Sequence, residues 1–548
     1  MQGKHKNTAE VLVEGLEAHG VKYIFGVPGE ENLAFLEAIR TSRIKFVTTR
    51  HEAGAAFMAA TVGRMTGKIG VALSTLGPGA TNLMTGAAYA QLGGFPLLLI
   101  TGQKPIRKSK QGKFQIVGIV GMMKPVTKYS ATVVDGEKIS SMLSEAITLA
   151  ESVRPGAVHL ELPEDVAEEV CSAGHVAVKK ILNMPAAEQS VAEALREIEK
   201  AKHPIVILGN SANNSNLDKS LKAFFKKTKI PFVSTQMGKG SLDESSELYI
   251  GTTAIAKGDL VHKALVAADV VVLIGHDVIN TPPMILTPEV FPNLKIIHVN
   301  YYSSSAKDVY IPTLEVVGDI SKTLSAFTKN IKVSSAWDFS YFFKVRDELK
   351  QDIAKFADSK DFPLHPYRIV SDLNKTLPAD GALALDNGMY KIYIGRNFIT
   401  KEQNSLLLDN ALATMGAGLP SGIALKVLYP KKKVVVVAGD GGFMMSISDL
   451  ETAVRLKIDL VVLVLDDSGY GMISWKQKKM KFPSFAISFK NPDFVKLAES
   501  FGAKGYEVKK AADLSKLLER ALNAKGVHII HCPINYQQAN KFLGQAFR

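Results

Sequence analysis

Cysteine is almost absent: Cys171 and Cys532 are the only two among 548 residues. Two are too few for a disulfide framework and cannot form a zinc cluster on their own, so a reducing compartment is the expectation. A leader-like start is missing as well, because Lys4, Lys6, Glu10, Glu14 and Glu17 interrupt the first twenty residues, and a cytoplasmic location is therefore expected. Charge is missing from one long stretch, Ile69 to Gln103, long enough on paper to cross a bilayer. Gly77, Pro78, Gly79, Gly93, Gly94 and Pro96 break any continuous helix there, and Ser74, Thr75, Thr81, Asn82 and Gln91 would carry polar atoms into lipid. No membrane association is implied; the stretch points to a buried, backbone-lined site or a subunit interface.

What is present is ordinary for packed globular units: 46% hydrophobic and 22% charged residues, which excludes intrinsic disorder. The net charge of 66 − 53 = +13 raises nucleic acid as a partner. The lysines are nevertheless scattered, and the tight basic runs, Lys431 to Lys433 and Lys476, Lys478, Lys479 and Lys481, have few interleaved aromatics. No nucleic acid partner is expected.

Short β-branched runs alternate with amphipathic helical segments throughout, the pattern of parallel α/β sheets with helices on both faces. A first block carries the strands Tyr23 to Val27, Phe46 to Thr49, Gly70 to Ser74, Leu97 to Thr101 and Ala157 to Leu162. After a connector from about Val170 to Ser190, a second block carries Pro204 to Leu208, Val270 to Ile274 and Ile296 to Val299. It holds no G-x-G-x-x-G, so its pattern alone does not imply a dinucleotide. Beyond a helical, charged linker from Ser334 to Pro366, a third block carries Ala382 to Asp386, Val434 to Ala438, Leu460 to Leu465 and Val527 to His531. The length itself suggests about three domains.

The sharpest chemistry lies in the third block. The strand Val434 to Ala438 runs into Gly439-Asp440-Gly441-Gly442, and another ends at Leu465-Asp466-Asp467-Ser468-Gly469. Open parallel sheets bind ligands at carboxyl strand ends, and successive backbone N–H groups opening a helix suit a phosphate. The separation 467 − 440 = 27 fits one strand, helix, strand excursion, which returns the two acids side by side. Two adjacent anions ask for a hard divalent cation completed by ligand phosphates, Mg²⁺ being the usual one. The same acids also suit the capping of their following turns, and the spacing alone leaves both readings open.

Gly439-Asp440-Gly441 followed by Asp467 resembles the bipartite diphosphate motif of thiamine-diphosphate enzymes. The resemblance runs over about residues 8 to 535 and implies an α/β fold of three doubly wound parallel-sheet domains. These would be a pyrimidine-binding domain (1–170), a middle domain (190–333) and a diphosphate-binding domain (360–548). It implies that Asp440, Asp467 and the carbonyl of Gly469 hold Mg²⁺, with Gly439, Gly441, Gly442, Tyr470, Gly471 and Met472 around the diphosphate. Arg50-His51-Glu52 resembles the family's catalytic glutamate segment, which makes Glu52 the group that shares a proton with N1′ of the aminopyrimidine. Thr414-Met415-Gly416 looks like the segment that bends the cofactor, with Met415 beneath the ring junction and the Ala413 carbonyl accepting from the 4′-amino group. Met389-Tyr390-Lys391 resembles a diphosphate-contacting loop in which acetolactate synthases usually have His where this chain has Lys391. Taken alone, Glu52 would read as a surface or capping residue and Met415 as core.

Within the family, Asp467 and the stretch Asp449 to Lys457 are similar to the catabolic, FAD-independent acetolactate synthases. The loop from Gly102 to Lys128, including Phe114 and Gln115, is similar to that of acetohydroxyacid synthases and lacks the paired histidines by which many 2-oxo-acid decarboxylases deliver a proton. The resemblance thus implies carboligation of two pyruvates to 2-acetolactate, with Gln115 at the catalytic centre. A decarboxylase or lyase of the same fold, or a catalytically silent paralogue, stay open beside it. Ile116 and Lys476 depart from the biosynthetic pattern, and Lys476 would suit an anionic acceptor. Ile274-Gly275-His276-Asp277-Val278-Ile279 differs from the Arg-Phe-Asp-Asp-Arg pattern of the flavin-containing members, so FAD is not expected. The resemblance also implies a site shared between two subunits, hence a homodimer or homotetramer acting on small 2-oxo acids.

Overall fold

The computed structural model describes residues 5–107, 112–172, 184–253, 259–277, 286, 291–304 and 310–537. Lys4, part of the connector read between Val170 and Ser190, and Val278 and Ile279 of the flavin comparison lie outside them. Strands covered by helices on both faces bury both rows of side chains, so they appear in sequence as nearly continuous apolar runs. Three six-stranded parallel sheets are built this way.

A short antiparallel pair, β1 (Lys6–Asn7) with β8 (Val170–Cys171), brackets the first sheet. That sheet contains β2 (Tyr23–Gly26), β3 (Lys45–Thr48), β4 (Gly70–Ser74), β5 (Leu97–Gln103), β6 (Tyr129–Thr132) and β7 (Ala157–Pro163) in the order β3-β2-β4-β5-β7-β6. The second holds β9 (Pro204–Leu208), β10 (Phe232–Ser234), β11 (Tyr249–Thr252), β12 (Val270–Ile274), β13 (Lys295–Asn300) and β14 (Leu314–Val317), ordered β11-β10-β9-β12-β13-β14. The third holds β15 (Ala382–Leu385), β16 (Leu406–Leu407), β17 (Val434–Gly439), β18 (Leu460–Asp466), β19 (Lys504–Glu507) and β20 (Val527–Pro533), ordered β16-β15-β17-β18-β20-β19. Strand order reverses beside β2, β9 and β15, and each reversal opens a crevice at the carboxyl ends of the strands.

The chain divides into two compact units. One comprises residues 1–182, 411–430 and 446–457; the other comprises 183–410, 431–445 and 458–548. In the first unit, the helix Glu52–Thr66 is made of small residues, with Ala55, Ala56, Ala59 and Ala60 fully buried. Small side chains let neighbouring backbones come close, and a helix from late in the chain, Gly418–Leu428, packs there; the helix Asp449–Arg455 packs on Gly418–Leu428 and brings Asp449 against Gly54. Thr61 Oγ1 donates to Ser421 Oγ at 3.1 Å, and Arg50 N donates to Asp449 Oδ1 at 3.0 Å. The uncharged stretch is largely consumed inside this unit, since every residue of β4 and β5 is buried. The buried His159 of β7 lies between two hydroxyls, Thr101 Oγ1 at 2.9 Å and Ser130 Oγ at 2.8 Å.

In the second unit, Phe224, Phe232 and Phe327 fill one face of the middle sheet, and Tyr310 and Phe342 fill the other. The helix Ser340–Ala354, inside the stretch expected to be helical, buries Phe342, Val345 and Leu349. A fully buried ion pair joins Lys239 Nζ to Glu244 Oε2 at 2.7 Å. The ammonium also donates to Thr252 Oγ1 at 3.1 Å, and Glu244 Oε2 accepts the Thr400 amide at 3.1 Å.

Candidate functional site

Glu52 is the first residue of its helix, immediately after the turn that leaves β3. His51 caps that helix, its Nδ1 accepting from Ala53 N at 3.1 Å. The carboxylate of Glu52 is 9% exposed and accepts from Asn82 Nδ2 at 2.9 Å. It therefore has one amide holding Oε2 and little water around it. Asp449, 1% exposed, fixes the backbone two residues earlier through Arg50 N and is itself steadied by Thr452 Oγ1 at 3.1 Å. Gln115 lies in an exposed turn with φ of 57°, and Ala413 is exposed with φ of 54°. Both are left-handed conformations that non-glycine residues hold only when the surroundings impose them, and such positions cluster at functional sites. Met415 is half-buried in the turn that precedes the helix Gly418–Leu428.

The remaining residues expected from sequence lie in the second unit, at the carboxyl ends of β15, β17 and β18. Asp440 follows Gly439, the last residue of β17, and opens the helix Asp440–Met445 that carries Gly441 and Gly442. Asp467 follows β18, and burial together with the charges of Asp440 and Asp466 pushes its carboxyl up to about 7. Asp440 moves in the same direction, chiefly through burial. Asp466 moves the other way: burial raises it, but the His531 imidazole and the Ser468 amide outweigh that. Three carboxylates gathered at two strand ends repel one another, which is the electrostatic condition a divalent cation relieves. Among the described residues, no group of three or more His, Cys, Asp or Glu is arranged to hold a metal ion. The donors on offer are oxygen donors, Asp440 and Asp467 with the carbonyl of Gly469, which suit Mg²⁺ rather than a softer ion.

Tyr390 opens the helix Tyr390–Asn397, and its ring packs against Gly439, where an added Cβ would stand 2.9 Å from Cε1. Among the described residues its buried hydroxyl has no hydrogen-bond partner. A buried orphan hydroxyl beside a phosphate-type turn leaves a place for a ligand group. Met389, next to it, is 2% exposed. Lys391 turns elsewhere: its Nζ reaches Asn387 Oδ1 at 2.7 Å, Asp409 O at 3.1 Å and Asn410 Oδ1 at 3.1 Å. Burial lowers this ammonium to about 8 despite the opposing pull of Asp409 and Asp386.

Ser468, with φ of 53°, makes the corner between Asp467 and Gly469. Gly469 pairs with Ser488 in an antiparallel bridge, and Tyr470 N donates to Ile487 O at 2.9 Å just before the helix Gly471–Lys479 that carries Gly471 and Met472. That bracing segment ends at a residue the sequence reading passed over. Asn491 Nδ2 donates to Asp440 Oδ2 at 2.8 Å and to Asp466 Oδ1 at 2.9 Å. Its only sequence signal is Asn491-Pro492-Asp493 ahead of a helix, which reads as capping; Asp493 does cap the helix Phe494–Ser500.

In the middle sheet's crevice, His276 and Asp277 are buried after β12, with His276 Nδ1 at 3.4 Å from the Tyr310 hydroxyl. Among the described residues, no helix is long and apolar enough to cross a membrane.

Comparison with known proteins bears on this geometry at three places. Residues 6–122 match the family model described as thiamine pyrophosphate enzyme, N-terminal TPP binding domain; residues 191–327 match its central domain and 386–532 its C-terminal TPP binding domain. The chain is 34% identical over 535 residues to an acetolactate synthase of Bacillus subtilis (strain 168), covering 96% of this chain and 93% of that protein. It is 31% identical over 546 residues to the catabolic acetolactate synthase of Raoultella terrigena, covering 98% and 96%. A probable acetolactate synthase large subunit of Methanococcus aeolicus is 30% identical over 563 residues, with 97% and 93% covered.

Proposed function

Because the chain belongs to the thiamine pyrophosphate enzyme family, we propose that it is a carboligase that decarboxylates pyruvate and joins the remaining two-carbon unit to a second pyruvate, giving 2-acetolactate. This reading is carried by acidic strand ends at Asp440 and Asp467 in one unit and a buried glutamate at a helix start in the other, in a chain similar to acetolactate synthases over nearly its whole length. When bound, thiamine diphosphate would supply the nucleophilic carbon and the thiazolium electron sink that decarboxylation of a 2-oxo acid needs.

The protein's part is to hold the cofactor and govern protons. Asp440, Asp467 and the Gly469 carbonyl would hold Mg²⁺, with Gly441, the N–H of Gly442 and the Tyr390 hydroxyl available on the diphosphate side. Gly439, Met389, Tyr470, Gly471 and Met472 line this end, and Lys391 braces it. Glu52 holds a proton at N1′ of the pyrimidine, the Ala413 carbonyl accepts from the 4′-amino group, and Met415 supports the bent shape. Gln115 faces the substrates in a loop without paired histidines, so no acid there quenches the two-carbon unit before the second keto acid arrives. Residues 1–170, 190–333 and 360–548 act as pyrimidine-binding, middle and diphosphate-binding domains, and no flavin takes part.

Incubating purified protein with pyruvate, thiamine diphosphate and Mg²⁺, and separating the products, tests the reading. Acetolactate supports it; acetaldehyde assigns a decarboxylase, and no turnover assigns a silent paralogue. The site is shared between two subunits of a cytoplasmic homodimer or homotetramer. Mixing inactive Glu52→Gln and Asp440→Ala chains restores activity if so, and verified exchange without recovery refutes it.

A further inference from the structure

The Asp440 carboxylate is held at both oxygens: Oδ1 accepts the N–H of Gly441 at 2.8 Å, and Oδ2 accepts Asn491 Nδ2 at 2.8 Å. A carboxylate oxygen keeps lone pairs free after one such bond, so this fixes direction without using up the donor. The same Asn491 amide group donates to Asp466 Oδ1 at 2.9 Å. Its orientation is set by chemistry, since an amide oxygen turned the other way would face two carboxylates.

Asp466 is an anchored acceptor. Its Oδ1 also takes Ser468 N at 2.8 Å and Ser468 Oγ at 3.1 Å, and its Oδ2 lies 2.9 Å from His531 Nε2. The residues leading to Asn491 run along the corner that carries Gly469, through the Gly469–Ser488 bridge and the bond from Phe489 N to Ser468 O at 3.3 Å. One amide thus couples the residue that follows β17 to the last residue of β18, just before the loop of Asp467 and Gly469.

We propose that Asn491 is the positioning residue of the divalent-cation site, setting the Asp440 carboxylate against the loop that offers Asp467 and the Gly469 carbonyl. This rests on the reading of Asp440 and Asp467 as the residues that hold the cation. A partner that orients a metal-binding carboxylate typically changes metal affinity by about 10- to 100-fold when removed.

The test follows thiamine diphosphate binding to the full-length protein by calorimetry across a Mg²⁺ titration, which requires no turnover. Asn491→Ala is expected to raise the half-saturating Mg²⁺ concentration about tenfold or more, with cofactor affinity recovered at saturating Mg²⁺. Asp493→Ala, which removes the cap of the helix Phe494–Ser500 two residues on but leaves the Asn491 bridge, is expected to leave that concentration within about twofold. Asn491→Ser, which retains one hydroxyl donor, falls between and replaces Asn491→Ala should the latter not fold. A lower melting temperature with an unchanged Mg²⁺ requirement would mark a mere brace and overturn the inference, provided Asp440→Ala abolishes Mg²⁺-dependent binding in the same assay. If Asp440→Ala also binds normally, the underlying reading of the metal site fails instead.

Discussion

Replacing Gly54 by alanine should cost far more than a Gly-to-Ala change in a helix ordinarily does. Gly54 sits in the first turn of the helix that Glu52 opens, and an added Cβ would stand 1.9 Å from Asp449 Oδ2. The carboxylate, 1% exposed, must be driven from its seat and with it the bond to Arg50 N. Losing a hydrogen bond to a charged acceptor costs about 1.5–3 kcal/mol, and forcing extra volume into a packed contact about 1–3 kcal/mol. Better helix propensity returns about 1 kcal/mol. The net expectation is a loss of about 1.5–5 kcal/mol, read as a lower urea midpoint for the transition of the first unit. The decisive measurement is a double-mutant cycle. With Asp449→Ala in place the clash disappears, and Gly54→Ala should become neutral or stabilising by up to about 1 kcal/mol. Equal costs of Gly54→Ala in both backgrounds would refute the packing of Asp449 against this helix.

Four further outcomes are expected. Glu52→Gln should retain cofactor affinity but slow exchange of the C2 proton, followed by NMR in deuterated buffer, by about 100-fold or more. Asp440→Ala should abolish Mg²⁺-dependent cofactor retention in calorimetry, whereas Asp467→Asn should keep much of it because an amide oxygen still ligates. His159, which burial lowers to about 3, stays neutral in the fold while the unfolded chain takes up a proton near pH 6.5. Its contribution is therefore intact above pH 6.5 and is lost as pH falls toward 3, amounting to about 2 kcal/mol at pH 5; His159→Gln should flatten that part of the urea-midpoint profile between pH 7.5 and 5. Lys239→Met strands the buried Glu244 carboxylate and should destabilise by about 3–5 kcal/mol in urea unfolding, with Glu244→Gln in the same chain restoring most of it.

Twelve strands were readable from the sequence as apolar runs, and those twelve are mostly interior ones. Besides the two-residue β1 and β8, the unread strands are β6, β10, β11, β14, β16 and β19 of the three large sheets, and five of these six lie at sheet edges. An edge strand packs less on its open side, so it can be half-exposed, as in β6 and β19, or two residues long, as in β16. Neither case leaves a long apolar run to find. The site divides along a similar line. Asp440 and Asp467 stand out because an acid at the end of a buried strand is chemically conspicuous. Asn491 sits in a loop with no periodicity, and its partners are 51 and 25 residues away, a separation that only the folded sheet makes short. The direction of the Lys391 side chain was equally hidden, since its acceptors on Asp409 and Asn410 come from a different loop.

The first unit takes residues 446–457 as well as 1–182, and this has a consequence for how the protein is made. When the ribosome has finished residue 182, the face of the helix Glu52–Thr66 that receives Gly418–Leu428, and Gly54 and the Arg50 amide that receive Asp449, are without those partners. The last of them is complete 457 − 182 = 275 residues later, about 14–55 s at roughly 5–20 residues per second. Through that interval the nascent chain carries a stripe of bare alanine and glycine backbone, and the Arg50 amide waits for its acceptor. Slowing or pausing translation between residues 182 and 457 lengthens this exposure, and a gene cut after residue 182 makes it permanent.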